Sequence, residues 1–571
     1  MLRRCCPRLA ARATDSEGST SLRNEDEGSS CDTRAIYAEA KATIALALPV
    51  MLQRVSMWGM LLTDQGILGH LRDPNTGEPT SRYLDGASLA LVFIDLTRMI
   101  ISRALSQTTR MLSATALGAG DAALAAQWLQ LSMALCIVAA VPIAALWMLL
   151  PYMLPIVSSN PEVIALAATY ARISTVWLLP ALWIECVQAW LGAHRWLFLP
   201  SLVGLLALVT NLALNLLLVF PPNGAHGLGF AGSALATSIT RLLQCATLLI
   251  AVKLHAMRPR GAALAHLFRT STLRAALAPA RLRIFILGQA LAVAFSALFE
   301  EVQFALMSML ASQLGAAALA THATLFNTIR LLNMPMEGLQ MAGMVQIGRH
   351  LGGGHGIAAR RSWLVCVGLT CTLGGMQGVL TFTNASRIGR LFTDASDVLA
   401  IAAAVAPVLG LVQMAVTPVY AAFAALAAMG RPKDILRLYV STNFWISPAA
   451  GYTLAHTLTW GATSPLVGLW YGYLIGYAAL GFGAIARVCS RSWQEEADTA
   501  QARTAKAKAG AQGPSSLVIA ATPATTATTA AAEVMPAVEK EEEQEEAMGP
   551  SGVARARAES KESPMADVEL Q

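Results

Sequence analysis

Residues 117–120 read Leu-Gly-Ala-Gly, and 234 positions later residues 351–354 read Leu-Gly-Gly-Gly. Each of these glycine runs follows an apolar stretch that is long enough to cross a bilayer. Three more landmarks recur in the same order at nearly the same spacing, which predicts an internal duplication. They are Asn160-Pro161-Glu162-Val163 with Ala395-Ser396-Asp397-Val398 (235 positions), Gly192 with Gly430 (238 positions) and Gly232 with Gly468 (236 positions).

Apolar stretches of this length occur twelve times, six in each half of the duplication. The whole chain has 571 residues, of which 55% are apolar and only 13% charged, with a mean hydropathy of +0.52. Soluble chains carry about 25% charged residues, so this composition excludes a disordered protein and disfavours a soluble enzyme. The predicted spans are 42–66, 86–108, 128–150, 171–192, 198–220, 228–253, 284–311, 316–346, 362–383, 398–427, 435–457 and 465–488.

The predicted fold is therefore an all-α polytopic membrane protein with twelve transmembrane helices in two six-helix bundles. An even number of helices in each half makes the repeats parallel, related by an axis along the membrane normal, and transporters place their substrate between such halves. The predicted domains are a disordered cytoplasmic N-terminus, an N-lobe, a basic cytoplasmic linker, a C-lobe and a disordered acidic cytoplasmic tail. Their ranges are 1–40, 41–253, 254–283, 284–489 and 490–571.

Basic residues are concentrated in the loops on one side of the predicted membrane region. Residues 41–493 contain 28 Lys/Arg and 14 Asp/Glu, and 14 of these bases fall in loops on one side against four on the other. Because basic loops stay inside, both termini are predicted to be cytoplasmic. The bases are scattered between apolar spans rather than aligned on one face, so no nucleic-acid partner is expected. The arginine-rich residues 1–14 also fit a transit segment, which leaves the plasma membrane, the vacuolar membrane and the plastid envelope open.

Motifs for enzymes, metals and cofactors are missing from the sequence. The nine cysteines lack metal-ligand spacing, and HExxH, GxxxxGK[ST] and GxSxG do not occur. We therefore expect neither an enzyme nor a cofactor, a metal site or structural disulfides.

Five short motifs occur in a fixed order along the predicted spans. They are Asp64-Gln65-Gly66-Ile67-Leu68-Gly69-His70-Leu71, Asp85-Gly86-Ala87-Ser88-Leu89-Ala90, Ala116 to Gly120, Gly229 to Thr237 and Gly468 to Gly472. With these motifs, residues 39–488 resemble the multidrug and toxic compound extrusion (MATE) family of secondary transporters. Thr97-Arg98 and residues 105–109 are also similar to a plant branch that contains organic-acid exporters. The resemblance implies an antiporter that exports small organic solutes in exchange for protons or sodium, and we expect a monomer in the lipid bilayer.

Carboxylates inside the spans are the candidate functional residues, because an ionised carboxylate at bilayer depth is costly unless it is paired or hydrated. Burial also brings a carboxyl group towards proton exchange at cellular pH, as a coupled antiporter requires. Six acids lie in the predicted spans: Asp64, Asp95, Glu185, Glu300, Glu301 and Glu337.

The resemblance assigns Asp64 to proton or sodium coupling, with Asn211 and Asn215 beside it on one face of span 5. Glu300 and Glu301 follow Phe299 as in the family's helix 7, and only one of them is expected to face the cleft, since adjacent helical residues point about 100° apart. We expect Asp64, the two asparagines and this glutamate pair to form the polar walls of one cleft. The alternatives are interfacial capping for Asp64, helix–helix hydrogen bonding for the asparagines and a structural ion pair for the glutamates.

The other polar residues in the spans have less specific interpretations. Asp95 and Arg98, three residues apart, are predicted to form a structural ion pair, and Glu337 is expected near Arg330. Glu185, with Gln188, is a further candidate for the cleft. Four tryptophans could stack on a ligand, although packing or interfacial anchoring is the commoner use: Trp177, Trp183, Trp190 and Trp196.

Two other functions compete with the antiporter. A lipid-linked precursor flippase of the same broad fold would need a hydrophobic and strongly basic cleft, and the six intramembrane acids argue against it. A membrane scaffold or receptor could use the acidic tail to recruit partners, but it would not need two matched halves with buried acids.

Overall fold

The structure is a computed structural model. It describes residues 33–72, 81–156, 159–220, 227–258, 261–384, 387, 390, 396–457 and 464–509. The predictions for residues 1–32 and 510–571 lie outside these ranges.

Twelve long helices follow one another through the described residues, and a shorter thirteenth helix comes after them. The first six are α1 (Thr33–Gly69), α2 (Arg82–Gly118), α3 (Ala122–Met148), α4 (Pro161–Ala193), α5 (Phe198–Val219) and α6 (Gly229–Ala256). The next six are α7 (Pro279–Gln313), α8 (Ala316–Gly352), α9 (Gly356–Thr383), α10 (Ser396–Ala428), α11 (Pro432–Leu438 continued by Tyr439–Phe444 and Ile446–Thr457) and α12 (Leu466–Cys489). The thirteenth, α13, is Trp493–Ala509.

Within the described part of the chain, nine of these helices are long and apolar enough to cross a membrane by length and composition alone. The other three long helices, α2, α8 and α11, match the remaining predicted spans but are less uniformly apolar. Helix α2 carries Asp95, Arg98 and Arg103, and α8 carries Arg330 and Glu337. Helix α11 is interrupted by a π-helical segment at Tyr439–Phe444. The charged side chains of α2 and α8 need protein partners inside the bilayer.

The two halves repeat one packing pattern. In the first half, α2 packs on α4, α4 on α6 and α5 on α6, and in the second half α8 packs on α10, α10 on α12 and α11 on α12. We call these halves the N-lobe (α1–α6) and the C-lobe (α7–α12). The lobes meet mainly through α1 and α2 on one side and α7 and α8 on the other.

The glycine motifs of the duplication form a reciprocal crossing between α2 and α8. A Cβ atom on Gly118 would lie 2.1 Å from the carbonyl oxygen of Arg349, and one on Gly352 would lie 2.0 Å from that of Thr115. Thr115 and Arg349 are themselves 234 positions apart, so each lobe places the same two positions at the crossing. Only a residue without a side chain allows the two backbones to approach so closely.

We call the end of the bundle that contains this crossing, the start of α1 and helix α13 the inner end; it is the predicted cytoplasmic side. Asp121 begins α3 there by accepting a hydrogen bond from the Leu124 amide at 2.8 Å, as an N-cap residue does. At the opposite end, Asn160 caps α4 through the amides of Glu162 and Val163.

Three predicted boundaries are wrong. Helix α1 begins at Thr33, inside the segment 1–40 that was predicted to be disordered. The linker predicted at 254–283 is shorter, because α6 ends at Ala256 and α7 begins at Pro279, with short helices at Ala262–Ala265 and Thr270–Ala276 between them. The prediction that the chain is disordered from residue 490 is also wrong over Trp493–Ala509, because these residues form a helix.

Helix α13 is ordered because it packs under both lobes. One face buries Ala497, Ala500 and Ala507, whose small side chains allow close contact with the bundle. Glu496 on the same face pairs with Arg431 of the C-lobe at 2.6 Å, and Lys508 pairs with Asp121 of the N-lobe at 3.0 Å.

The crossing predicts a position-specific cost for added side-chain volume. Gly352→Ala places a carbon against a backbone oxygen, and overpacking of this kind costs about 1–3 kcal/mol of unfolding free energy. We expect a lower melting temperature for the purified variant in a thermal-shift assay. The matched control is Gly375→Ala in α9, where a Cβ atom would meet nothing within 4 Å. Equal melting temperatures for the two variants would contradict the crossing.

Candidate functional site

A buried carboxylate with three hydrogen-bond donors lies inside the N-lobe. Asp64 of α1 is 4% exposed. Its Oδ1 accepts hydrogen bonds from the amide groups of Asn211 at 3.2 Å and Asn215 at 2.8 Å, and its Oδ2 accepts one from the Thr237 hydroxyl at 2.6 Å. Three helices, α1, α5 and α6, therefore position one carboxylate.

The asparagines reach Asp64 together because they lie one helical turn apart on α5. Both are fully buried, and Asn215 also donates to the Asn211 carbonyl at 3.0 Å, which fixes the orientation of its amide. Thr237 joins them from the next helix and accepts a second hydrogen bond from Asn211 at 3.2 Å. Asp64 lies five residues before the end of α1. Its carboxylate accepts hydrogen bonds from side chains of α5 and α6 rather than from backbone amides, so interfacial capping does not describe it.

The Asp64 cluster, defined as Asp64, Asn211, Asn215 and Thr237, contains unused acceptors. The side-chain oxygens of Asn211 and Asn215 are buried and have no hydrogen-bond partner within the described residues. Unused oxygens beside a carboxylate are a suitable environment for a small hard cation, which takes oxygen ligands, or for a proton on the carboxylate. The residues of the cluster are therefore able to hold H+ or Na+.

A cavity of about 230 Å3 lies between the lobes, and its charges are balanced. Three arginines and three glutamates line it, together with methionine and aromatic side chains such as Met57 and Tyr477. This mixture of apolar surface with a few charged groups is typical of a small-molecule site. The charged lining residues are Arg54, Arg98, Arg103, Glu185, Glu300 and Glu337.

Two ion pairs cross from one lobe to the other at this cavity. Arg103 of α2 contacts Glu300 of α7 at 2.5 Å, and Arg54 of α1 contacts Glu337 of α8 at 3.5 Å. All four side chains are between 24% and 31% exposed, so they are only partly buried. Each pair neutralises two charges inside the bundle and also joins the two lobes.

The structure separates residues that the sequence was expected to bring together. Asp64, Asn211 and Asn215 lie inside the N-lobe rather than on the cavity wall, so the prediction of one shared cleft wall is wrong. Glu300 lines the cavity, and its neighbour Glu301 is half-buried outside the lining. The physical reason is that α1 turns Asp64 towards α5 and α6, away from the other lobe.

The remaining candidates have different surroundings. Arg98 contacts Asp95 at 3.0 Å within α2, and its guanidinium lies 5.7 Å from the centre of the Trp177 ring. Glu185 is buried and lines the cavity. The expected Glu337–Arg330 contact is wrong, because Glu337 pairs with Arg54 of the other lobe and Arg330 lies over the Phe326 ring at 5.4 Å.

The four tryptophans are used for packing. Trp177 and Trp190 are buried, and Trp190 lies against the His194 ring with centroids 4.5 Å apart. Trp183 donates a hydrogen bond to the Met133 carbonyl at 3.2 Å, and the ring centroids of Trp196 and His255 lie 4.1 Å apart. The cavity lining does not include them.

Polar contacts between the lobes continue at the inner end. Glu39 of α1 contacts His350 at 3.1 Å and accepts a hydrogen bond from Ser362 at 3.0 Å, both in the C-lobe. Arg195, between α4 and α5, donates to Gln346 of α8. These contacts lie beside the Gly118–Gly352 crossing, so the cleft is closed at this end.

Sequence reasoning missed Arg54, Arg103 and the role of Thr237. The cost of charge in the bilayer applies to bases as well as to acids, and it would have pointed to both arginines had they been treated like the carboxylates. Thr237 lies within a recognised motif, but its contact with Asp64 depends on how α6 is rotated against α1.

Comparison with known proteins gives a consistent result. The MatE family model matches residues 49–217 and 292–453. Multidrug and toxin extrusion protein 1 of Xenopus tropicalis is 23% identical over 474 residues, which cover 82% of this chain and 78% of that protein. Protein DETOXIFICATION 52 of Arabidopsis thaliana is 23% identical over 475 residues, which cover 82% of this chain and 88% of that protein.

The fold also matches solved structures. The crystal structure of the eukaryotic MATE transporter AtDTX14 superposes with a TM-score of 0.72 at 18% identity, and the match covers 82% of this chain and 100% of that one. Identity at this level shows the fold alone. The predicted twelve-helix, two-lobed membrane fold is confirmed.

The Arg103–Glu300 pair predicts a non-additive effect of substitution. Arg103→Gln leaves Glu300 as a charge without its partner and should cost about 1–3 kcal/mol of unfolding free energy, while the double variant with Glu300→Gln should recover most of that loss. Unfolding in mixed detergent micelles measures both values. The control is Glu162→Gln, which removes a contact with Arg82 where the Glu162 side chain is 68% exposed, and we expect less than about 1 kcal/mol. Equal losses in the single and double variants would refute the pairing.

Proposed function

The chain belongs to the MatE family, and on that basis we propose that it is a secondary active antiporter that exports small organic solutes in exchange for protons or sodium. Members of the family are membrane transporters, so the prediction that the chain is not an enzyme is confirmed.

We place ion coupling at the Asp64 cluster. The observation that carries the proposal is a single buried carboxylate, held by Asn211, Asn215 and Thr237, beside two amide oxygens that have no described partner. An ionised carboxylate in this position is costly, and binding of a proton or Na+ removes the cost. Occupation of the site therefore changes the energy of the N-lobe and can favour one conformation over the other.

The solute site is the cavity between the lobes. Glu185 and Glu300 provide carboxylates there, and methionine and aromatic side chains provide apolar contacts. The equal numbers of arginines and glutamates support a solute exporter over a lipid-linked precursor flippase, for which a strongly basic cleft was expected. A scaffold or receptor would have no use for the paired charges between the lobes.

Alternating access requires the two lobes to separate at one end while they close at the other. The contacts of Glu39 and Arg195 with the C-lobe close the inner end in this structure. We take this arrangement as the state in which the cleft faces away from the cytoplasm, and opening to the cytoplasm would break these contacts.

The coupling role of Asp64 predicts a loss of uphill transport. In proteoliposomes with an imposed pH or sodium gradient, Asp64→Asn should abolish gradient-driven solute accumulation, because the side chain can no longer exchange a proton or balance a cation. Downhill exchange of solute should remain measurable. Asp397→Asn, at an exposed carboxylate in the first turn of α10, is the matched control and should behave like the unmodified protein. Normal accumulation in Asp64→Asn would exclude this coupling site.

The inner-end contacts predict a shift in the conformational equilibrium. Glu39→Gln weakens the links from α1 to His350 and Ser362 and should favour separation of the lobes at this end. We expect faster deuterium exchange in peptides that cover residues 345–356 and 193–198, measured by mass spectrometry in nanodiscs. The control, Glu162→Gln, changes an exposed carboxylate at the opposite end. Unchanged exchange in Glu39→Gln would show that these contacts do not hold the cleft closed.

A further inference from the structure

A second cavity lies at the inner end of the C-lobe, on the outside of the bundle and between α11 and α12. It has a volume of about 440 Å3. Arg437 of α11 and Arg487 of α12 line it, with Leu438, Ser441 and Gly483 towards the middle of the membrane. Neither the cavity between the lobes nor the Asp64 cluster shares these residues.

The cavity carries excess positive charge around a single carboxylate. Asp434, the one acidic residue among the described residues that line the cavity, contacts Arg487 at 3.0 Å and Arg437 and Arg491 at 3.5 Å each. Three guanidinium groups around one carboxylate leave two positive charges without a balancing acid. The nearby Glu496 does not provide one, because it is paired with Arg431.

The guanidinium groups of this cluster also have unused hydrogen-bonding capacity. The Nε of Arg491 is buried and has no hydrogen-bond partner within the described residues, while Arg437 and Arg487 are 72% and 41% exposed. Asp434 therefore holds the guanidinium groups in position and leaves N–H groups free to bind an anion. Arginine binds phosphate oxygens with two parallel hydrogen bonds, which makes a phosphate group a suitable ligand.

The shape of the cavity indicates where this phosphate group comes from. Gly483 leaves a groove between the two helices, since its missing side chain would otherwise meet Leu438 at 3.0 Å. The π-helical segment Tyr439–Phe444 widens α11 beside it. Phe482, next to Gly483 on α12, and Trp445, before the last segment of α11, are 69% and 65% exposed. Exposed aromatic side chains on transmembrane helices are suited to contact with lipid.

We propose that this cavity, the 434–487 pocket, binds an anionic phospholipid of the cytoplasmic leaflet. The phosphate group would contact Arg437 and Arg487, and an acyl chain would lie in the groove at Gly483. The cytoplasmic leaflet carries the anionic lipids, and basic pockets between transmembrane helices on that side bind their head groups. The two unbalanced positive charges favour a phosphate monoester over a zwitterionic head group.

The test uses the full-length protein in detergent micelles and three probes: phosphatidic acid, phosphatidylcholine with the same acyl chains, and inorganic phosphate. Native mass spectrometry with each probe gives the dissociation constant. We expect saturable binding of phosphatidic acid, weaker binding of phosphatidylcholine and little binding of inorganic phosphate. Equal affinity for the two lipids would overturn the proposal, and phosphate binding as tight as that of phosphatidic acid would assign the pocket to a soluble phosphate instead.

Variants separate the pocket from general surface charge. Arg437→Gln/Arg487→Gln should weaken phosphatidic acid binding about 30-fold, since each basic residue near an anionic lipid contributes about a factor of five. The control Arg283→Gln/Arg361→Gln removes the same charge from exposed positions at the inner end and should leave affinity nearly unchanged. Equal weakening in both double variants would contradict a specific site. Arg437→Gln alone, at a mostly exposed side chain, provides a test with an expected fivefold effect if the double variant does not fold.

The groove is tested without changing any charge. Gly483→Leu fills the space beside Leu438 and should weaken phosphatidic acid binding while leaving the guanidinium groups in place. Gly375→Leu in α9, where the added side chain begins in open space, is the matched control. Unchanged lipid binding in Gly483→Leu would exclude an acyl chain from the groove.

Discussion

The close approach of α2 and α8 at Gly118 and Gly352 is the constraint on which the rest of the structure depends. It joins two six-helix lobes through backbone contact at one end and leaves the space between them for a cavity. A Cβ atom on either glycine would fall about 2 Å from a backbone oxygen of the other helix, so a larger residue at either position would push the two helices apart. The inner-end contacts of Glu39 and Arg195 surround this crossing and have their present partners because it exists.

A second constraint is the cost of charge inside a bilayer, and the protein meets it in two ways. Charges at the cavity are paired across the lobes, as in Arg103 with Glu300 and Arg54 with Glu337. Asp64 instead receives hydrogen bonds from neutral side chains of its own lobe. Pairs between the lobes can break when the lobes move, whereas the Asp64 cluster can change its charge without separating any helices. This difference is why we assign solute binding to the cavity and ion coupling to the cluster.

The sequence predicts the repeat well because both lobes use the same contacts. Thr115 and Arg349 oppose Gly352 and Gly118 at the offset that the glycine motifs display, and Gly232 and Gly468 each approach the end of the preceding long helix, at Leu218 and Leu454. The grouping of Asp64 with Asn211 and Asn215 also follows from helical spacing and family resemblance. Contacts between the lobes do not follow from helical spacing or from family resemblance. Arg103 and Glu300, for example, lie 197 positions apart and meet only through the packing of α2 on α7. Helix α13 was missed because its alanine-rich composition resembles a linker until the bundle provides a surface for Ala497 and Ala500.

The central claim is that H+ or Na+ bound at the Asp64 cluster is exchanged for solute bound in the cavity. The most direct test is to measure solute flux and ion flux in the same proteoliposomes, with a pH-sensitive dye inside the vesicles and radioactive sodium as the second tracer. The account predicts that adding solute to one side drives H+ or Na+ in the opposite direction at a fixed ratio, and that the ion flux stops when the solute gradient is gone. Solute flux without a matching ion flux in the opposite direction would contradict it.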